Sequence, residues 1–309
     1  MKTKILIVLL LFICLFAGFT LYQYYNEDLS KLEAARAASD SLFIDTESGR
    51  TRYKVFGNEN SETVILVHSF NGFIESWNPN IDALVAAGYR VVAYDLYGRG
   101  LSDRPYANYD LALFRKQLSS VVDHLGLDKV HLIGSSFGCV IASDYALNKP
   151  NLVESLIMVG PAGWPVEGAR NPLLDVPVVG DLAFHYFGID LIKPKVEAYL
   201  VDQHKHADVL LQWGQFANYP GYTRSALSTI RNAPVFEYTD GWQQLATLNK
   251  PTMFIWGKQD VSFPFNNTEK LAQIMPQAKI VGVDNAAHWV NVEQADVVNT
   301  EIISFLKID

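Results

Sequence analysis

Short apolar runs alternate with longer amphipathic stretches over most of this chain, starting near residue 42. This alternation is typical of α/β proteins, in which helices cover both faces of a mostly parallel sheet. We therefore expect an α/β fold with an eight-stranded, mostly parallel sheet. The predicted strands are Leu42–Thr46, Arg52–Phe56, Thr63–His68, Arg90–Asp95, Lys129–Gly134, Ser155–Val159, Thr252–Trp256 and Lys279–Val283. The predicted helices are Trp77–Ala87, Tyr109–Leu125, Phe137–Asn148, Asn267–Ile274 and Val292–Leu306.

The alternation stops between Gly160 and about Leu248, where the sequence becomes rich in proline, glycine and aromatic residues. This change predicts an insertion at 161–248, a mainly helical cap between two parts of a core at 42–160 and 249–309. We predict that Trp164 of the cap and Trp289 of the core contact the substrate. Packing is the alternative interpretation, because aromatic side chains dominate protein cores.

The N-terminal segment carries no charge from Ile5 to Asn26 and follows two lysines. As a helix it would be about 33 Å long, enough to cross a hydrocarbon layer of about 30 Å. We therefore predict a transmembrane anchor at 1–28, followed by a tether at 29–41. The two lysines favour a cytoplasmic N-terminus, so the rest of the chain would lie on the other side of the membrane. Secretion after cleavage of a signal peptide is the alternative.

Charge and cysteine content exclude several classes of protein. The 25 basic residues against 33 acidic ones leave a net charge of −8, which argues against binding nucleic acid. The two cysteines cannot form a disulfide framework, and no specific metal-binding motif is present, so we predict neither a metal nor another cofactor. The sequence leaves the oligomeric state open.

A possible nucleophile lies in the run Gly-Ser-Ser-Phe-Gly at 134–138, between a predicted strand and a predicted helix. A sharp turn from strand to helix needs small residues on both sides and exposes the hydroxyl of the central serine, Ser136. The alternative is an ordinary helix cap that uses Ser135 or Ser136.

A serine nucleophile needs a histidine base and a carboxylate that orients this base. Asp260 follows the predicted strand Thr252–Trp256, and His288 follows the last predicted strand. Loops after parallel strands open at the same edge of a sheet, so these side chains can meet Ser136 there. The strand Ser155–Val159 ends without an acid, which leaves Asp260 as the candidate.

The negative oxygen that forms during acyl transfer needs N–H donors aimed at it. One is expected from the residue after the nucleophile, Phe137, and a second from the loop after an earlier strand. That loop begins at His68-Ser69, and we predict that Phe70 supplies the second donor. His68 is interpreted as a structural residue of the loop.

With these motifs, residues 42–309 resemble the α/β-hydrolase superfamily, and in particular its serine esterases and lipases with a cap domain. The resemblance also includes the segment Asp95–Asp103, the Gly-x-x-Asp loop that ends at Asp260, and Glu293 beyond the histidine. It implies a serine hydrolase in which Ser136, His288 and Asp260 act beneath a cap. The chain departs from the family in having Ser69 where a glycine usually follows the histidine.

Three functions fit this resemblance. The first is a membrane-anchored carboxylester hydrolase that cleaves an apolar ester, such as a monoacylglycerol or a short-to-medium-chain acyl ester, through an acyl-enzyme. The second is a carbon–carbon bond hydrolase of the meta-cleavage product type, which would need a cation in the cap for its acidic substrate. The third is a non-catalytic binding protein on the same fold. Candidate cations for the second function are Arg170, Arg224 and Arg231.

Overall fold

A computed structural model describes residues 2–168 and 171–307. Its centre is an eight-stranded sheet with the order β1-β2-β4-β3-β5-β6-β7-β8. Strand β2 is antiparallel to both of its neighbours, whereas β3 to β8 run parallel. The expected mostly parallel sheet is therefore confirmed. The strands are β1 Leu42–Thr46, β2 Gly49–Phe56, β3 Thr63–Val67, β4 Arg90–Tyr94, β5 Val130–Ser135, β6 Val153–Val159, β7 Thr252–Gly257 and β8 Lys279–Val283.

Helices follow most of the strands, and four more lie between β6 and β7. Two short 3₁₀ helices form at Ile74–Trp77 and Pro172–Asp175. The α-helices are α1 Lys2–Tyr25, α2 Ser30–Ala37, α3 Asn78–Ala86, α4 Leu111–His124, α5 Phe137–Asn148, α6 Val179–Glu197, α7 Ala207–Ala217, α8 Tyr222–Asn232, α9 Thr239–Thr247, α10 Asn267–Ile274, α11 Val290–Glu293 and α12 Ala295–Leu306.

The sheet is covered on both faces, and β3 shows why. All five residues of this strand are buried. Ile65 and Val67 belong to the apolar cluster on the side of α4 and α5, whereas Val64 and Leu66 belong to the cluster on the side of α3 and α12. Successive side chains of a strand point to opposite faces, so an apolar run without alternation requires helices on each side.

Helices α6 to α9 occupy the region between β6 and β7, where the sequence predicts a cap. Helix α8 packs on α6, and α9 packs on α5 of the core. We call the segment 161–248 the cap; its limits as a domain stay a prediction.

The predicted membrane anchor needs correction. Within the described residues, no helix is long and apolar enough to cross a membrane. Helix α1 does form, but Thr20 and Tyr24 near its end are buried, and the Thr20 hydroxyl lies 3.0 Å from the Tyr186 hydroxyl of α6. The end of the apolar run thus packs against protein. The prediction of a membrane-anchored protein is therefore wrong.

Candidate active site

Ser136 lies at a strained turn between β5 and α5. Its φ of +53° and ψ of −117° are unusual for a residue with a side chain. The flanking glycines are required by close contacts. A Cβ atom at Gly138 would lie 2.1 Å from the carbonyl oxygen of Val67, and one at Gly134 would lie 2.6 Å from the amide nitrogen of Cys139. The sequence Gly-Ser-Ser-Phe-Gly therefore forms the sharp elbow that its spacing predicts.

His288 lies between Ser136 and Asp260, within hydrogen-bond distance of both. Its Nε2 atom is 2.8 Å from the hydroxyl oxygen of Ser136, and its Nδ1 atom is 2.7 Å from Oδ2 of Asp260. The other carboxylate oxygen of Asp260 accepts hydrogen bonds from the N–H groups of Ser262 and Phe263. An ionised Asp260 can only accept, so Nδ1 carries the hydrogen and Nε2 is left to receive the serine proton.

The three side chains are held away from solvent. Ser136 is 3% exposed, Asp260 4% and His288 0%. The imidazole contacts two aromatic rings, with ring centres at 4.7 Å for Tyr199 and 5.5 Å for Phe263. Tyr199 comes from the cap, where sequence reasoning did not find it, because its neighbours carry no motif. The cap therefore forms one wall of the site.

A buried carboxylate joins the histidine loop to the cap. Glu293 accepts a hydrogen bond of 2.6 Å from the N–H of Ala287, next to the histidine. Its other oxygen accepts from the N–H groups of Val201 and Asp202 in the connection between α6 and α7. The glutamate beyond the histidine thus has a structural task that the sequence alone does not show.

The predicted oxyanion donors lie on neighbouring segments. Phe137 begins α5, and the rings of Phe70 and Phe137 are 6.5 Å apart between centres. In the part of the chain that the structure describes, neither N–H group donates to a protein acceptor. Both donors therefore remain available to a ligand oxygen, as the oxyanion hypothesis requires.

Ser69 stands where a glycine usually follows the histidine in the family, and its side chain is accommodated by a contact with Trp289. The indole N–H of Trp289 donates to the Ser69 hydroxyl at 3.1 Å. Gly72 closes the same loop, since its N–H donates to the carbonyl of Ser69 at 2.8 Å. The serine side chain is therefore accommodated by its own hydrogen bond.

The two tryptophans predicted to contact substrate are both buried. Trp289 is 1% exposed and is bonded to Ser69, while Trp164 is 0% exposed and packs against Trp242 and Trp256. Trp164 has no hydrogen-bond partner for its indole N–H within the described residues. Their contacts with a substrate stay a prediction.

The candidate cap cations are already engaged where the structure describes them. Arg224 lies 3.3 Å from the carboxylate of Glu27, and Arg231 lies 2.7 Å from that of Asp181. Arg170 lies outside the described residues. Neither Arg224 nor Arg231 therefore offers an unpaired charge to an acidic substrate.

Comparison with known proteins decides the family. A family model described as alpha/beta hydrolase fold matches residues 62–295. The chain belongs to this family. The resemblance noted from the motifs is thereby confirmed, and the protein is a hydrolase of the α/β-hydrolase fold.

Relatives within the α/β-hydrolase family align over most of the chain. The 2-hydroxy-6-oxo-6-phenylhexa-2,4-dienoate hydrolase of Burkholderia cepacia is 27% identical over 288 residues, covering 89% of this chain and 98% of the relative. A 2-hydroxy-6-oxononadienedioate/2-hydroxy-6-oxononatrienedioate hydrolase of Cupriavidus pinatubonensis is also 27% identical, with coverages of 90% and 99%. The enol-lactonase structure from Burkholderia xenovorans LB400 superposes with a TM-score of 0.74 at 19% identity, covering 86% of this chain and 99% of that one, which is a likeness of fold.

These names overturn the first predicted function. The two sequence relatives are named as hydrolases of 2-hydroxy-6-oxo-dienoate compounds, and not of acylglycerols or other carboxylic esters. The prediction of a membrane-anchored carboxylester hydrolase or lipase is therefore wrong. The motifs could not exclude this error, because one fold with the same serine, histidine and aspartate can serve different substrates.

Proposed function

We propose that this protein is a carbon–carbon bond hydrolase that acts on a 2-hydroxy-6-oxo-dienoate, a meta-cleavage product. The observation that carries the proposal is the match, along nearly their whole length, to relatives named for this class of substrate. The hydrogen-bonded chain from Ser136 through His288 to Asp260 supports a serine mechanism. No cofactor takes part in the chemistry that we propose.

In the first step, Ser136 attacks the carbonyl carbon at C6 of the substrate. His288 Nε2 takes the hydroxyl proton, and Asp260 stabilises the resulting imidazolium. The carbonyl oxygen becomes an alkoxide, which the N–H groups of Phe70 and Phe137 stabilise. The rings of Phe70 and Phe137 lie 6.5 Å apart and that of Phe263 lies 5.5 Å from the His288 ring, so we expect apolar side chains to meet the substituent on C6.

In the second step, the bond between C5 and C6 breaks. A simple carbanion is a poor leaving group, so the proton of the 2-hydroxyl group must first move to C5, which leaves a ketone at C2. The electron pair of the broken bond then passes through the conjugated system to the C2 oxygen and gives a dienolate. His288 returns its proton to this dienolate, and water, activated by the same histidine, releases the acid from Ser136.

A comparison of two substrates tests the proposal. Purified protein is assayed with two substrates, 2-hydroxy-6-oxo-6-phenylhexa-2,4-dienoate and the neutral ester p-nitrophenyl butyrate. Cleavage of the dienoate is measured by the loss of its absorbance. We expect kcat/KM for the dienoate to exceed that for the ester by about 100-fold or more, and Ser136→Ala to lower it at least about 1,000-fold. Preference for the ester would contradict the proposal.

The neighbouring serine provides a matched control. Ser135 occupies the same turn, and its buried hydroxyl has no hydrogen-bond partner among the described residues. We expect Ser135→Ala to keep kcat/KM within about threefold, because removing the Ser135 hydroxyl breaks no hydrogen bond with the described residues. A fluorophosphonate probe should label the wild type and Ser135→Ala but not Ser136→Ala. An unlabelled wild type would favour a non-catalytic binding protein.

A further inference from the structure

Arg99 is a buried cation next to the loop that carries Phe70. The residue is 2% exposed, and in the described ranges no carboxylate lies within ion-pair distance of its guanidinium. The nearby Asp95 pairs instead with Arg52 at 3.0 Å. Burial lowers the pKa of Arg99. Removing a guanidinium from water without an opposite charge is costly, so the contacts that it makes are expected to matter.

These contacts connect Arg99 to Phe70 in two ways. Its Nε–H donates a hydrogen bond to the carbonyl oxygen of Phe70. Its guanidinium carbon also lies 4.5 Å from the centre of the Phe70 ring, which is a cation–π contact. The backbone and the side chain of the predicted oxyanion residue are therefore both held by one arginine.

The same guanidinium reaches the cap. Its Nη1–H group donates to the hydroxyl of Ser225 in α8 at 3.1 Å, and its carbon lies 5.4 Å from the ring centre of Tyr222. The Tyr222 hydroxyl in turn donates to the side-chain oxygen of Asn71, next to Phe70, at 2.7 Å. Two routes thus link α8 to the loop after β3.

The fit between α8 and the Arg99 loop leaves no free space. Gly98 has a φ of +81°, and a Cβ atom at this position would lie 2.4 Å from the hydroxyl of Ser225. Ser225 is itself fully buried. A displacement of α8 would therefore be transmitted directly to Arg99.

We propose that Arg99 is a positioning residue. It fixes the Phe70 N–H donor of the oxyanion hole and couples the position of that donor to the position of cap helix α8 on the core. The proposal rests on the serine mechanism above, but not on which bond the enzyme cleaves. A rigid donor matters because oxyanion stabilisation depends on donors that need no rearrangement during the reaction.

The test compares two buried arginines. Arg104 is also buried and donates to backbone carbonyls, those of Ser102 and Gly100, and among the described residues it makes no hydrogen bond to the Phe70 loop. Arg99→Met and Arg104→Met remove the same charge and a similar volume. We expect Arg99→Met to lower kcat about 100-fold with KM changed less than about threefold, which is the scale of losing one oxyanion donor. Arg104→Met should keep kcat within about threefold, after correction for the folded fraction.

A second readout separates positioning from a merely structural role. A boronic acid that forms a tetrahedral adduct with Ser136 mimics the alkoxide, whereas the product acid mimics the ground state. Arg99→Met should lower the affinity for the boronic acid in proportion to the loss in kcat/KM and leave the affinity for the product acid unchanged. If Arg99→Met does not fold, Arg99→Lys carries the test, with an expected loss in kcat of about tenfold because lysine lacks the planar fork.

Four results would overturn the proposal. One is an equal loss of kcat in Arg99→Met and Arg104→Met, and another is a wild-type kcat and boronic acid affinity in Arg99→Lys. A third is boronic acid affinity that stays at the wild-type level in Arg99→Met. The fourth is a rise in KM for the dienoate with unchanged kcat on p-nitrophenyl butyrate, which would make Arg99 a binding site for the substrate carboxylate. These results differ from a failure of the proposed function. If the protein does not cleave the dienoate, the Arg99 variants can still be compared with the wild type on p-nitrophenyl butyrate.

Discussion

The imidazole of His288 lies 2.8 Å from the hydroxyl of Ser136, although 152 positions separate them in the chain. The serine follows β5, and the histidine follows β8, three strands away in the sheet. All of the strands between them are parallel, so their carboxyl ends share one edge. Asp260, which follows β7, approaches the histidine from the same edge.

Asp260→Asn tests the orienting role of this carboxylate. An amide cannot stabilise the imidazolium, and it allows the tautomer in which Nε2 carries the hydrogen, so the serine loses its base. We expect kcat on the dienoate to fall between about 1,000-fold and 10,000-fold with little loss of stability. Asp284→Asn is the matched control, because that exposed aspartate pairs only with Lys258 among the described residues. A loss below tenfold in Asp260→Asn would contradict the prediction.

Gly138→Ala tests the close packing of the elbow on β3. The added methyl group would lie 2.1 Å from the carbonyl oxygen of Val67, and neither backbone can move without disturbing the sheet. We expect the free energy of unfolding to fall by about 2–3 kcal/mol, together with most of the activity. Gly214→Ala in α7 is the control, because its methyl group would meet nothing within 4 Å and would favour the helix. Urea denaturation measures the free energy of unfolding of both variants. Equal values for Gly138→Ala and Gly214→Ala would argue against this steric clash.

His68 predicts a pH dependence of stability. Burial lowers its pKa to about 4, whereas the unfolded chain titrates near 6.5. As the pH falls from 6.5 to 4, the unfolded state therefore takes up a proton that the folded state does not, and stability decreases. Above 6.5 this contribution is fully present. The loss from this group amounts to roughly 3 kcal/mol.

His68→Gln removes this titration and provides the measurement. We expect its free energy of unfolding to be lower than that of the wild type at pH 7.5, because the ring accepts a hydrogen bond from the N–H of Leu96. Between pH 7.5 and pH 4.5 the variant should lose about 2 kcal/mol less than the wild type. Parallel pH profiles for the two proteins would show that His68 is not the group responsible.

Glu293→Gln tests the link between the histidine loop and the cap. The amide keeps one acceptor oxygen, but its NH2 group would face backbone N–H donors at the other position, where a carboxylate oxygen now accepts. We expect a loss of about 2 kcal/mol in stability and a lower kcat, since a buried charged acceptor is replaced by a mismatched one. Glu301→Gln, in a partly exposed pair with Lys279, should cost at most about 1 kcal/mol. Similar melting temperatures for the two variants would refute the link.

Local patterns predicted the strands, the elbow and the order of Ser136, Asp260 and His288, because each depends on a few neighbouring residues. The two errors have a different origin. The length and apolarity of the run from Ile5 to Asn26 do not reveal that Thr20 and Tyr24 are buried. The motif at the elbow does not specify the substrate, because one fold hosts many functions.

The amino-acid order alone predicted a mostly parallel sheet with Ser136, Asp260 and His288 at one edge, since the apolar runs of the strands and the glycines of the elbow act over a few residues. The contacts of Tyr199 with His288, of Glu293 with Val201 and of Arg99 with Phe70 and Ser225 required the folded chain. Each joins the cap or a distant loop to the core. Such contacts depend on how separate elements pack, and no local pattern records which surfaces will meet.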